Sequence, residues 1–424
     1  MSSDYIHVDI EMVQSPKKSG MPCGDVISCR RSNAGTLIIC ADGLGSGIRA
    51  HIGAQMCVAR LFESVSQGFS LRKAFSTVAA TMQQSRDPGK PFAAFSIARI
   101  RSDGNATVLS YDAPAPILVG RHGASALANR PFSLPGGLAI ESNCQLDVNE
   151  GILLMSDGVT QSGIGYSPFS EWGTDGVVRF VSDCLARNLE PALIPHRLHQ
   201  EALQRWQGLF SEQNQLQTTH FATHFSPYSM KEQNNGYYGK PQKTIPRSDY
   251  GDDCSLILAY CRNGQTLNIL TGPPCNSDVD KDIVRQFLEL PGIKAVCGGT
   301  TAGIVARYLD EALQVEQEPT SNIAPPRYAI NGIDLVTEGS ITLNQVYNIM
   351  DEDVSKLNED SGVTELRLLF SVADRVHFIV GGAENNANQD ISFLQRGVLS
   401  RKVLVPHLID RLEKEGKLVT VKYV

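Results

Sequence analysis

The sequence predicts an α+β protein in two parts: antiparallel sheets covered by helices over residues 1–262, then a smaller α/β domain over 263–424. Three observations predict it. Short β-type runs follow one another through residue 162 with helical stretches between, a pattern that favours antiparallel sheets packed under helices. A polar, weakly periodic stretch occupies 207–248. Beyond Asn263, strand-like and helix-like runs alternate, which predicts a parallel or mixed sheet.

The elements follow in order. IHVDIEMV, DVISCRR and GTLIICA are β runs, as are FAAFSIARIRS and ATVLSYD, with DGN at 103–105 as the hairpin turn between the last two. PILVGRHG and GILLMSDG come after the APAP connection at 113–116. A helix is predicted over 46–66, where Ile48, Ile52, Met56 and Ala59 recur at helical spacing and read as a core stripe. From 174 to 206 the chain is helical, with Val177, Phe180, Val181 and Leu185 on one face and Ile194, Leu198 and Ala202 on another. The 207–248 stretch, rich in Gln, Asn, His, Tyr and Ser, reads as a surface insertion, either a loop or a lid. After it, TLNILT, IKAVCGG, GIDLVTEG and RVHFIVGG read as strands, and DKDIVRQFLEL, AGIVARYLDEAL, LNQVYNIM and VLVPHLIDRLEKEGK as helices.

Charge and cysteine usage exclude several classes. Through residue 265 there are 23 acidic and 23 basic residues, against 22 and 15 thereafter, so the net −7 falls wholly on the second part. No basic stripe recurs, which argues against a nucleic-acid partner. Apolar runs such as Gly151 to Met155 are too short to span a bilayer, and the start lacks the pattern of a signal peptide, so no membrane association is expected. The ten cysteines form no CxxC pair and read as reduced thiols of a cytoplasmic protein.

The acids at strand ends carry the chemistry: Asp25 in CGD, Asp42 in ADGLGSG, Asp157 in MSDGVT, and Asp252 with Asp253 in GDDCS. One Asp-Gly is an ordinary turn dipeptide. Several carboxylates delivered from separate strand ends repel one another unless a cation stands between them. Oxygen-only donors select magnesium or manganese over zinc, and two such ions about 4 Å apart can activate a water and polarise a phosphate, so hydrolysis needs no protein nucleophile. Arg30, Arg31, Arg49 and His51 lie near these motifs but read as solvated or structural groups, and His196 and His199 lack partners for a metal site.

ADGLGSG at 41–47, SDGVTQSG at 156–163 and GDDCSLIL at 251–258, with the upstream CGD, resemble the stage II sporulation protein E-type serine phosphatases of bacteria, within the metal-dependent type 2C phosphatase superfamily. The resemblance covers about residues 5–262. It implies an α-β-β-α sandwich of two antiparallel sheets and a dinuclear manganese or magnesium site. In that site Asp42 bridges both ions, the Gly43 carbonyl binds one, and Asp25, Asp157 and Asp252 complete the set; Asp253 stands as the alternative to Asp252. It also implies hydrolysis of a phosphoserine or phosphothreonine protein in bacterial signalling. The helix after the first motif would then be a candidate switch. The two-part layout resembles phosphatases of this type encoded near iron-only hydrogenases. Cys23 stands where the family has Ser, and Cys254-Ser255 where it has Met-Thr; neither change removes a carboxylate. An inactive phosphatase-fold scaffold and a hydrolase of a small phosphorylated metabolite are the alternatives.

In the second part, AVCGGTTAG at 295–303 and FIVGGAENN at 378–386 end strands in Gly-Gly, and Thr300 or Thr301 is placed to cap the next helix. A small anionic ligand near Gly298, Gly299, Gly381 and Gly382 is expected there, with tight βα turns as the plainer role of these glycines.

Overall fold

The computed structural model describes residues 5–84, 91–134, 137–164, 172–207, 251–317, 326–357, 361–383 and 398–424. The predicted insertion at 207–248 lies outside them beyond Gln207. The chain forms two compact units. One comprises Val8–Arg30 and Thr36–Arg262; the other comprises Asn263–Val424 with short pieces ending at His7 and spanning Arg31–Gly35.

The first unit holds two sheets. One contains β2 (Val26–Ser32), β3 (Gly35–Gly43), β4 (Ala93–Ile100), β5 (Asn105–Tyr111), β8 (Arg130–Leu134) and β9 (Gly137–Gln145), in the order β2-β3-β4-β5-β9-β8. The other contains β1 (Ile6–Ser15), β6 (Ile117–Val119), β7 (Ala124–Ala126), β10 (Gly151–Met155) and β11 (Cys254–Asn263), in the order β1-β11-β10-β6-β7. The pairings β3/β4, β4/β5, β5/β9 and β10/β11 are antiparallel. The DGN turn joins β4 to β5 as expected: Gly104 takes φ +80°, and the Asn105 N–H donates to the Asp103 carboxylate at 3.0 Å.

Helices cover one face of each sheet. Leu37, Ile39 and Ala41 pack with α1 (Ile48–Ser66) and α2 (Leu71–Gln84), while Leu153, Met155, Leu256 and Leu258 pack with α4 (Gly173–Ala186) and α5 (Ile194–Trp206). The residues between them, Ile38, Cys40, Ile152, Leu154 and Ile257, are equally buried, and alternation along a strand points them to the opposite face. The sheets therefore cover each other, in the layer order helix, sheet, sheet, helix, which is the expected sandwich.

Helix α1 departs from expectation. Ile48, Ile52, Met56 and Ala59 are exposed, whereas Ala50, Gly53, Ala54, Cys57, Val58, Leu61 and Phe62 face the core. The buried face begins with small residues because the helix lies close against its neighbour: a Cβ on Gly53 would stand 3.1 Å from the Phe92 carbonyl. Bulky side chains are excluded from that side and fall on the other.

The second unit is a doubly wound sheet. Strands β12 (Thr266–Thr271), β13 (Ile293–Cys297), β16 (Leu335–Thr337), β17 (Arg375–Val380) and β18 (Leu418–Tyr423) run parallel in the order β16-β13-β12-β17-β18, extended by the antiparallel β15 (Arg327–Ala329) and β14 (Gln314–Gln317). Helices α6 (Asp280–Glu289) and α7 (Gly299–Leu309) pack in one cluster. Helices α8 (Ser340–Asn348), α9 (Gly362–Val372) and α10 (Arg401–Lys414) pack in another. The N-cap of α7 is Gly298 rather than Thr300 or Thr301.

Phe75 of α2 is fully buried and stacks on Phe95 at 5.0 Å between ring centres. Phe75→Ala is expected to lower the unfolding free energy by about 3–5 kcal/mol, read as a shifted urea midpoint; an unchanged midpoint would refute this packing.

Candidate functional site

Two antiparallel pairings bring the acids together. Only Asn33 and Ala34 separate the neighbouring strands β2 and β3, so Asp25, just before β2, lies beside Asp42 near the end of β3. In the other sheet Met155 pairs with Leu256, so Asp157, which opens the short helix α3 (Asp157–Thr160) two residues past β10, lies beside Asp252 and Asp253, which precede β11. The sandwich then sets the two ends against each other.

The electrostatics record this crowding. Burial, followed by the charge of Asp253, pushes the Asp25 carboxyl up to about 7, while the Ser156 and Ser255 hydroxyls and Asp42 pull it the other way. Asp42 is pushed up to about 10, first by burial, then by Asp25 and Asp157, and its carboxyl is hydrogen-bonded to that of Asp157. Asp252 is raised by burial and by Asp157. All five predicted carboxylates thus meet at one place. Gly43 ends β3 in register with Ala93, and a Cβ there would stand 2.1 Å from the Ala50 carbonyl, so only glycine lets α1 start this close to the acids.

The surroundings hold the carboxylates in place. Asp253 is 3% exposed; one oxygen accepts the Lys17 N–H at 2.7 Å, and the other would lie 2.7 Å from a Cβ at position 24. Gly24 is thus the residue that admits this carboxylate. Asp252 accepts the Asp253 N–H at 2.9 Å, and Asp157 accepts from the Gln161 amide at 3.0 Å. The Gly158 carbonyl accepts from Trp206 Nε1 at 2.8 Å and from the Cys254 thiol at 3.3 Å. The two departures from the family pattern are absorbed here: Cys254 braces the Gly158 turn, and the Cys23 thiol donates to the Ser15 carbonyl at 3.6 Å.

The donor chemistry suits a hard cation. Asp25 Oδ2 and Asp253 Oδ2 are buried oxygens with no hydrogen-bond partner, an arrangement that costs free energy unless a cation or proton compensates it. Among the described residues no group of three or more His, Cys, Asp or Glu is arranged to hold a metal ion as the side chains stand. Two nearby basic groups are otherwise engaged: Arg30 lies 4.4 Å over the Phe62 ring, and His51 Nδ1 is 2.9 Å from the Cys23 carbonyl oxygen. His199 is also occupied, 2.9 Å from the Ser15 hydroxyl, a contact without a sequence signal.

Raised carboxyls bind protons more tightly in the folded than in the unfolded chain. Stability of the EDTA-treated protein should therefore fall as pH rises from about 4 through 7 for Asp25, and on toward 10 for Asp42. Thermal melts between pH 5 and 8.5 should show a declining Tm whose slope Asp42→Asn reduces; a slope identical in the variant would contradict the crowding.

Residues 32–224 match the family described as stage II sporulation protein E (SpoIIE). That span contains Asp42, Gly43 and Asp157 and leaves Asp25, Asp252 and Asp253 outside. No curated protein matches the sequence. Among solved structures, the RsbU and RsbW domains of a Mycobacterium tuberculosis protein align at 14% identity over 68% of this chain and 69% of theirs, with a TM-score of 0.42. The phosphatase domain with a regulatory fragment of Bacillus subtilis SpoIIE aligns at 14% over 62% and 66%, with a TM-score of 0.45. The Mycobacterium tuberculosis serine/threonine phosphatase PstP aligns at 12% over 60% and 99%, with a TM-score of 0.36. Over residues 32–224, a little under half of its length, this chain is thus similar to the stage II sporulation protein E family.

Proposed function

We propose that the chain is a metal-dependent protein serine/threonine phosphatase of bacterial signalling, acting on a phosphoseryl or phosphothreonyl protein. The observation that carries this reading is the meeting of five carboxylates from the ends of two sheets, two of them with unpartnered buried oxygens. Asp25, Asp42, Asp157 and Asp252, with the Gly43 carbonyl, would hold two manganese or magnesium ions, with Asp253 as the alternative to Asp252. Bound there, the ions would supply Lewis-acid polarisation of the phosphate and a water acidic enough to attack it.

The protein's own part is to bring the carboxyls together and keep them oriented. Burial, Asp25 and Asp157 make the Asp42 carboxyl hold a proton more tightly than usual, so filling the site with cations should release protons. Gln161 and the Asp253 N–H fix the outer oxygens of Asp157 and Asp252, which limits their rotation to the inner pair. Among the described residues no helix is long and apolar enough to cross a membrane, and all ten cysteines are free thiols, which supports a cytoplasmic location.

The test is hydrolysis of p-nitrophenyl phosphate and of a phosphoserine peptide. Activity should need manganese or magnesium, vanish in EDTA, and fall about 100-fold or more in Asp42→Asn and Asp157→Asn, the scale on which removal of a catalytic electrostatic group acts. Undiminished activity in both variants would overturn the assignment.

A further inference from the structure

The second unit contains a crevice that the phosphatase reading does not use. In chain order the parallel strands β12, β13, β16, β17 and β18 lie as 3-2-1-4-5, so the winding reverses between β12 and β17, and sheets of this kind bind ligands beyond the carboxyl ends of their strands. A cavity of about 260 Å³ lies there, lined by Thr271 at the end of β12, by Gly298 after β13, by Gly299 and Thr301 in the first turn of α7, by Glu338 after β16, and by Arg401.

Two helices begin at this cavity, each behind a glycine that offers no side-chain cap, although Glu338 already takes one N–H of the α8 start. Helix α7 starts at Gly298 and α8 at Gly339, and a Cβ on Gly339 would stand 3.2 Å from the Gly298 Cα. The exposed N–H groups and dipole of a helix start favour an anion. An independent observation points the same way. Thr301 lines the cavity, is 2% exposed, and has a hydroxyl with no hydrogen-bond partner. Arg401 adds a fixed positive charge, its guanidinium anchored on the carbonyls of Thr271 at 3.2 Å, Gly381 at 3.1 Å and Ala383 at 3.3 Å. Glu338 supplies the opposite character: its carboxylate accepts the Ile341 N–H at 3.3 Å and has capacity for a further donor.

The crevice thus offers donors for an anion and an acceptor for a hydroxyl. We propose that it binds a small phosphate monoester bearing free hydroxyls, with the phosphate on the α7 start, the Thr301 hydroxyl and Arg401, and a ligand hydroxyl donating to Glu338. Gly298 and Gly299 take part as the sequence suggested. Gly381 and Gly382 do not line the cavity; Gly381 is needed because a Cβ would meet the Gly272 and Pro273 carbonyls at 2.2 Å.

The test is calorimetry on the full chain in EDTA, so that no ester is turned over, with inorganic phosphate, ribose 5-phosphate, AMP, ribose and succinate. One ester should bind at one per chain, more tightly than inorganic phosphate. Preference for ribose 5-phosphate assigns a sugar phosphate, and preference for AMP a nucleotide. Thr301→Val should weaken the ester about tenfold. Gly299→Leu, whose Cβ faces open space, should block binding while leaving the unliganded Tm unchanged. Glu338→Gln should weaken the ester but not inorganic phosphate. The proposal is overturned if no phosphate compound binds at millimolar concentration, if Thr301→Val and Gly299→Leu bind as wild type does, or if succinate binds in preference.

Discussion

Like charges confined at the ends of strands are the constraint on which the first unit depends. Each sheet contributes its share through one antiparallel pairing, and the stacking of the sheets adds the two shares together. That arrangement is unfavourable by itself, as the upward push on Asp25, Asp42 and Asp252 records. The helical layers and the apolar interior between the sheets hold it against that repulsion. The glycines show how little room is left: Gly24 admits the Asp253 carboxylate, and Gly43 admits the start of α1.

Much of this was legible in the sequence. Asp-Gly after an apolar β run is a local signal that located Asp42 and Asp157, and Gly-Asp before such a run located Asp25, Asp252 and Asp253. Their convergence was not local and came from the resemblance. What was missed has physical causes. The exposed stripe on α1 has the same 3.6-residue period as its buried face, and period alone cannot tell which of two apolar faces packs. Helix α9 was overlooked because its sequence carries Arg367 in the buried face, made tolerable by a bond to the Met350 carbonyl at 2.9 Å. Strands β7 and β8 are short and largely exposed, so no alternation marks them. The bracing of Gly158 by Trp206 joins residues 48 apart in the chain and leaves no motif.

The charge distribution now has a structural meaning. The first unit, balanced through residue 265, concentrates five acids in one place; the second carries the net −7 and yet presents an arginine, the uncapped start of α7 and the unpartnered Thr301 hydroxyl at one crevice. In both units the average charge misstates the site, because local geometry rather than composition decides which ion is attracted. An enzyme built this way would couple catalysis in one unit to ligand recognition in the other only through differential stabilisation of two states.

The central claim is that the carboxylate cluster is a binding site for hard cations. Titration of manganese into the EDTA-stripped full chain by calorimetry tests it most directly. The account predicts saturable binding of about two ions per chain, with proton release as the raised carboxyls ionise and with loss of at least one ion in Asp42→Asn. A well-folded protein that takes up no manganese, or binds it equally after that substitution, would contradict it.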